Sequence, residues 1–218
     1  MKALRVLFRA VLLLFLILLL VVIAVQIPTI QTRITKSFTE YLSKNTGFET
    51  SISKVRIRWW DAISLQDVVI YDHHDSLMVD LEDVYIDFSI SGLLDSSNPG
   101  LDQIKLEKGN VRLLFHPEED FINIAEYLYQ INLLFPSAPR DPNKKASRFG
   151  IKNISLKEAS LDIINYGSIP IESGFDFNKL QFRDLIADAD DFYSEGPTIG
   201  IKVNYLRGLE STSGLVFQ

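Results

Sequence analysis

No cysteine occurs among the 218 residues. Disulfides, thiolate metal centres and cysteine nucleophiles are excluded. The familiar catalytic signatures are missing too: there is no glycine-rich phosphate loop, no G-x-S-x-G and no HExxH. An anchored hydrolase, the obvious enzymatic alternative, would lack both nucleophile and metal constellation, so the expectation is a non-enzyme without cofactor. Positive charge is sparse over most of the chain. Residues 59–218 carry thirteen Lys/Arg against twenty-six Asp/Glu, a balance of −13. Nucleic acid needs a positive face, and this region does not supply one.

What the chain does have is concentrated at its start. Every residue from Ala10 to Val25 is apolar, and from Leu4 only Arg5 and Arg9 interrupt the run. About 20 apolar residues span the hydrocarbon core of a bilayer as a helix. Residues 1–27 therefore read as a transmembrane anchor, with Leu12, Phe15, Leu19 and Ile23 facing lipid. Lys2, Arg5 and Arg9 precede the run, so the positive-inside rule leaves the N-terminus in the cytoplasm and exports the rest. A cleaved signal peptide is the competing reading. Its apolar region would be shorter, and Ile23-Ala24-Val25-Gln26 lacks the small-x-small site. Residues 1–58 carry nine Lys/Arg against two Asp/Glu, a balance of +7 that suits an anionic lipid surface.

Residues 28–46 have the pattern of one amphipathic helix. Pro28 suits its first turn, Asn45-Thr46-Gly47 stops it, and Ile30, Ile34, Phe38, Tyr41 and Leu42 form an apolar stripe. That stripe can pack on a sheet or lie at a membrane surface. Beyond Gly47 the apolar period becomes two, giving a first β-rich segment at 47–135, a hydrophilic linker at 136–148 and a second β-rich segment at 149–218. Strands are expected near 52–59, 65–71, 78–90 and 199–205, and another near 175–182. Val84, Ile86, Phe88 and Ile90 share one face, as do Ile199, Ile201, Val203 and Tyr205. Phe121 to Phe135 reads as a helix.

Ile104 to Phe115 reads as two strands about a Lys108-Gly109-Asn110 turn, and Ile151 to Ile164 as two more. The two stretches echo each other as x-I-x-L-x-x-x-x-φ-x-φ, where φ is apolar: Ile104, Leu106, Val111 and Leu113 in one, Ile154, Leu156, Leu161 and Ile163 in the other. Repetition of this kind suggests a stacked β architecture continuing in a longer protein. Two polar clusters invite chemistry. His73 and His74 stand between Asp72 and Asp75, where a solvated turn is the plainer reading than a metal site. Asp188, Asp190, Asp191 and Glu195 suggest an acidic loop rather than a calcium site, since the EF-hand spacing fails. His116 reads as an isolated loop residue.

Four features in this order resemble the N-terminal region of the AsmA-like proteins, specifically the TamB-type translocation and assembly subunits. They are the basic-flanked anchor, the helix leading through Gly47 into Ile52-Ser53-Lys54-Val55, the segment Ile63 to Asp72 with Leu77 to Phe88 after it, and Ile104–Phe115 followed by Ile122 to Leu128. The likeness covers roughly residues 1–165, and members of the family are far longer. It implies a bacterial inner-membrane protein with a single pass and a periplasmic bulk. Its fold would be mainly β: an elongated, curled antiparallel sheet forming an open groove, with one or two short covering helices. It further implies lipid transport to the outer membrane, assembly of outer-membrane proteins, or both. The partners would then be phospholipid, the inner membrane and an outer-membrane barrel protein. Val84, Ile86, Phe88, Ile90, Ile199, Ile201, Val203 and Tyr205 would line the groove. Two other readings stand beside it: a periplasmic scaffold that binds proteins without lipid, and apolar faces that are simply closed core, packed on each other or on the helices.

Overall fold

A computed structural model describes residues 8–9, 11–17, 20, 27–58, 61–95, 98–117, 119–135, 148–169, 171, 175–195 and 198–218. The chain is mainly β. Its strands are β1 (Thr50–Arg58), β2 (Ala62–Tyr71), β3 (Leu77–Asp87), β4 (Gly100–Phe115), β5 (Arg148–Asn165), β6 (Lys179–Glu195), β7 (Thr198–Glu210) and β8 (Leu215–Phe217). They form one sheet in sequence order, open and uncurled, with β1 and β8 at its two edges. The curled groove expected from the resemblance is corrected to an open sheet. Nor is the sheet purely antiparallel: β4 and β5 pair in parallel. A parallel pair needs a long crossover, and residues 116–147 provide it.

The crossover explains the sequence echo. The two similar stretches are not two hairpins but two long strands side by side, fifty residues apart in register: Ile104 pairs with Ile154, Leu106 with Leu156, Val111 with Leu161, and Leu113 with Ile163. The turn expected at Lys108-Gly109-Asn110 does not exist. Lys108 instead takes a left-handed conformation (φ 50°) inside an unbroken strand, and Glu158, its neighbour in β5, does the same (φ 53°). Asp67 of β2 lies in that row, and Asp184 of β6 is close to it; both are also left-handed.

This row divides the sheet. In the shared pattern, the step from Leu106 to Val111 or from Leu156 to Leu161 is five residues. An odd step in a strand changes face. β3 follows the same rule: Val84 and Ile86 point to one face, Val79 and Leu81 to the other. Beyond the row, the apolar face holds Ile70, Val79 and Leu81 and is sealed by Phe48 and by Ile124 and Tyr127 of a helix (α3, below). Before the row, the apolar residues lie on the opposite face.

Helix α1 (Pro28–Thr46) starts on Pro28 and stops at Gly47, whose φ of 77° few side chains tolerate and whose N–H bonds the Ser43 carbonyl at 3.0 Å. It packs along β1, but not through the stripe expected. Gln31, Thr35, Thr39, Leu42 and Thr46 are buried, while Ile34, Phe38 and Tyr41 are exposed. The reason lies in the surface beneath. Near Gln31 that surface is Arg56, Ala62, Ser64 and Tyr85, the largely polar side of the sheet. The buried threonine hydroxyls satisfy themselves on helix carbonyls, Thr35 on Gln31 at 2.8 Å and Thr46 on Leu42 at 2.8 Å, so their burial costs little.

Two shorter helices complete the fold, α2 (Ile90–Leu93) and α3 (Asn123–Leu134). α3 is tied to β4 by Asn123, which is 1% exposed; its Oδ1 accepts from the Leu114 N–H at 3.1 Å and its Nδ2 donates to the Arg112 carbonyl at 3.1 Å. The expected linker lies outside the described residues except Arg148, which opens β5. So do Leu19 and Ile23 of the expected anchor. Leu12 and Phe15 lie in a helical stretch, Val11 to Ile17, whose side chains are exposed. Among the described residues, no helix is long and apolar enough to cross a membrane.

Candidate functional site

The half of the sheet that precedes the left-handed row carries two unbroken apolar rows on one face. The first runs Val55, Leu65, Val84, Leu106, Leu156, Ala187, Leu206; the second runs Ile57, Ile63, Ile86, Ile104, Ile154, Ala189, Val203. Both cross β1 to β7 at right angles to the strands. Six inter-strand gaps make the strip about 29 Å long, and the two rows lie about 7 Å apart. Most of these side chains are half-buried by neighbours in their own layer, Val84 and Ala189 are buried, and Val203 and Leu206 are exposed at 53% and 42%. Among the described residues no second sheet covers the strip, and α1 lies on the other face. Ala187 and Ala189 make it lowest at β6, between the taller side chains of β5 and β7.

The reverse face is polar and internally bonded. Gln103 donates to Asn153 (2.6 Å), and Asn153 and Asn204 both donate to Asp190 (3.1 and 2.6 Å), a ladder across four strands. Those amides hold the Asp190 carboxyl below its ordinary range, the Asn204 bond most of all. Gln66 bonds Asp83 at 3.0 Å in the same way. The two faces of this half differ as sharply as the two faces of an amphipathic helix.

Of the expected lining residues, Val84, Ile86 and Val203 are on the strip. Ile199 and Ile201 continue along β7 from Val203 and are exposed at 69% and 50%. Three expectations need correction. β3 ends at Asp87, so Phe88 lies past the strand, its N–H bonded to the Asp61 carbonyl at 2.7 Å. Ile90 opens α2, because Ser89 caps that helix by accepting from the Gly92 N–H. Tyr205 is turned away by a bulge: Ala189 pairs with Val203 but Asp188 pairs with Tyr205, so β7 holds one extra residue and Tyr205 joins the polar face while Leu206 returns to the strip. The sequence pattern missed Leu106, Leu156 and Leu206, yet the x-I-x-L repeat already contained the first two.

The acidic stretch 188–195 is not a loop; it is the end of β6, with Asp191 left-handed (φ 52°). The Asp72–Asp75 turn is a turn, closed by the Asp75 N–H on the Asp72 carbonyl at 3.1 Å. His116 is not isolated. Its ring stacks on His74 at 3.8 Å and its Nε2 lies 3.2 Å from Asp72. Burial alone would raise the Asp72 carboxyl, but bonds from Ser76, His116, His74 and Asn123 outweigh it and hold Asp72 below its usual range. His74 reaches Glu119 at 2.7 Å, and His73 reaches Glu126 at 3.2 Å. All three histidines of the chain thus gather where α3 meets the turn. Among the described residues, no group of three or more His, Asp or Glu is arranged to hold a metal ion. The cluster fastens α3 to the sheet.

The site is therefore a surface and not a pocket: an uncovered aliphatic strip backed by a self-satisfied polar face. Comparison of the chain with family models, with curated proteins and with solved structures finds no match.

Proposed function

We propose that this is an AsmA-like, TamB-type protein, anchored in the bacterial inner membrane, that passes phospholipid acyl chains along the apolar strip of a periplasmic sheet. The observation that carries the reading is the pair of unbroken aliphatic rows with no layer over them among the described residues. The N-terminal apolar run with its three preceding cations supports the anchor. Assembly of outer-membrane barrel proteins, the family's other role, would use the same anchored sheet with a protein partner.

Magnitudes favour passage over storage. Full burial of a methylene is worth ~0.8 kcal/mol. A chain lying on an uncovered strip keeps its outer side in water, so roughly half of that is recovered per methylene. A bilayer recovers nearly all of it. Lipid on the strip is then bound weakly and exchanges, and a continuous row lets it move without crossing water. Val84 and Ile86 in the middle of the strip, and Val203 at its far side, would be points along that path.

Photo-crosslinking residues placed at Ile86 and Val203, with Lys105 and Ser155 on the polar face as references, test this in native membranes. Phospholipid adducts at the two strip positions and not at the references are the expected result. Equal adducts on both faces, or none on the strip, would overturn lipid carriage. Protein adducts at Ile86 in place of lipid would favour the scaffold reading.

A further inference from the structure

We infer that α1 and α3 seat the protein on the surface of an anionic bilayer, with the apolar stripe of α1 sunk into the headgroup boundary. This rests on the membrane-anchored part of the proposed function and is independent of lipid carriage.

The starting point is the inversion of α1. A helix on a soluble domain turns its apolar face to the core. Here the threonine face is inside and Ile34, Phe38 and Tyr41 are outside, 54%, 48% and 48% exposed. The stripe does not stop at the helix: Phe38 meets Phe135, at the end of α3, with ring centroids 6.4 Å apart, and Phe135 is itself half-exposed. α3 adds Leu128 and Leu133, both more than half exposed. So many outward apolar side chains on two adjoining helices mark an interaction surface.

Two observations identify what covers it. The first is continuity. α1 begins at Pro28, directly after the apolar run Ala10 to Val25, so the stripe starts where a bilayer-compatible segment ends. A helix placed there has no long tether separating it from the interface. The second is charge. Residues 28–58 hold six Lys/Arg against two Asp/Glu, in a chain whose later part is strongly acidic. Arg33, Lys36 and Lys44 project from α1 and are exposed, with Glu40 3.9 Å from Lys36; α3 holds Glu126 and no Lys or Arg, so the electrostatic attraction belongs to α1 and α3 adds apolar area. Each cation near an anionic surface adds attraction that salt screens. An apolar stripe bordered by cations is the composition of an interfacial helix, which sinks about 5–10 Å. A second copy of the chain would satisfy the apolar stripe but would set these cations against cations.

The absence of cysteine makes the test direct. Single-cysteine variants of the full chain, Leu14→Cys, Phe38→Cys and Lys105→Cys, carry an environment-sensitive dye in vesicles of phosphatidylcholine with or without phosphatidylglycerol. Nitroxide lipids should quench the dye at 38 several-fold more than at 105, and omission of phosphatidylglycerol or added salt should weaken that quenching. If the dye is quenched at 14 but no more at 38 than at 105, the anchor stands and the seating is wrong. Quenching at none of the three would remove the anchor and the inference together. A dye at 38 that loses contact with water only as protein concentration rises, with no quenching by lipid, would assign the stripe to a second copy and overturn the inference.

Discussion

Replacing Glu158 with glycine should stabilise this protein, although glycine inside a strand normally weakens it. Six described non-glycine residues have positive φ: Asp67, Asp75, Lys108, Glu158, Asp184 and Asp191. Four are aspartates, which tolerate the left-handed region because the short side chain bonds locally. Lys108 and Glu158 have no such relief. A left-handed conformation costs an ordinary residue about 1–2 kcal/mol. Glycine removes that cost and adds about 0.5–1 kcal/mol of lost chain entropy. Glu158 is exposed, so little else is lost. The net gain is about 0.5–1 kcal/mol, worth about 1–4 °C in melting temperature for a domain of this size.

The adjacent residue is the control. Lys157 is also exposed, also in β5, and has no positive φ. Lys157→Gly should lower the melting temperature by about 1–4 °C, since only the entropy term applies. Glu158→Gln keeps the conformation, removes the charge and should change almost nothing. Thermal unfolding of the full chain in detergent, followed by the β signal in circular dichroism, reads all three. If Glu158→Gly lowers the melting temperature as far as Lys157→Gly does, the left-handed row is not a conformational cost and its account fails.

Glu210 is fully buried, and its carboxylate accepts from Gln181, Thr212 and Ser213 at 2.5–3.2 Å. Burial alone would raise its pKa, but those bonds prevail and hold it at about 2, so its contribution is full above the ordinary value of 4.5 and fades as pH falls toward 2. Hydrogen exchange should show the Leu215–Phe217 amides losing protection over that window, and Glu210→Ala should release them at neutral pH at a cost of about 2–3 kcal/mol. His74 behaves oppositely: its bond to Glu119 raises its pKa, so the contact is complete below the ordinary value of 6.5 and is lost as pH rises through the raised one. An NMR titration should find His74 shifted upward in the native chain and returned toward 6.5 by Glu119→Gln. Asn123→Ala strands the Leu114 N–H and should cost about 1–3 kcal/mol, freeing α3 before the sheet melts, as amide exchange in 124–134 would reveal.

Much of the strand content was legible in residue alternation, because half-buried strands enforce a period of two. Joining the strands was harder. Lys108-Gly109-Asn110 has the composition of a hairpin turn, and distant partners on both sides, Asp80 and Leu81 of β3 and Ala159 and Ser160 of β5, keep it within the strand. Nothing within eleven residues could announce a partner fifty residues away. Likewise, the alternation at 199–205 could not reveal that β7 carries a bulge, since the extra residue exists only relative to β6. The α1 stripe was legible in Ile34, Phe38 and Tyr41, which face outward together, while Leu42, expected with them, is buried among the threonines. Its direction depended on the polar surface below it, which is a property of β1 to β3.

The change of face at the left-handed row bears on how one sheet can serve two ends. Had the apolar residues kept one parity along each strand, a single face would be apolar throughout, and the helices that seal Ile70 and Val79 would have to extend over the strip or leave core residues wet. Switching parity separates the tasks. One half of the sheet buries its apolar residues under Phe48, Ile124 and Tyr127 and supplies stability; the other offers an aliphatic strip on the face those helices do not reach. The helices also come to lie on the polar side of the strip-bearing half, which turns their own apolar stripe outward. An exposed strip on one face and an exposed helical stripe on the other thus follow from the same odd five-residue step, present in β3, β4 and β5 alike.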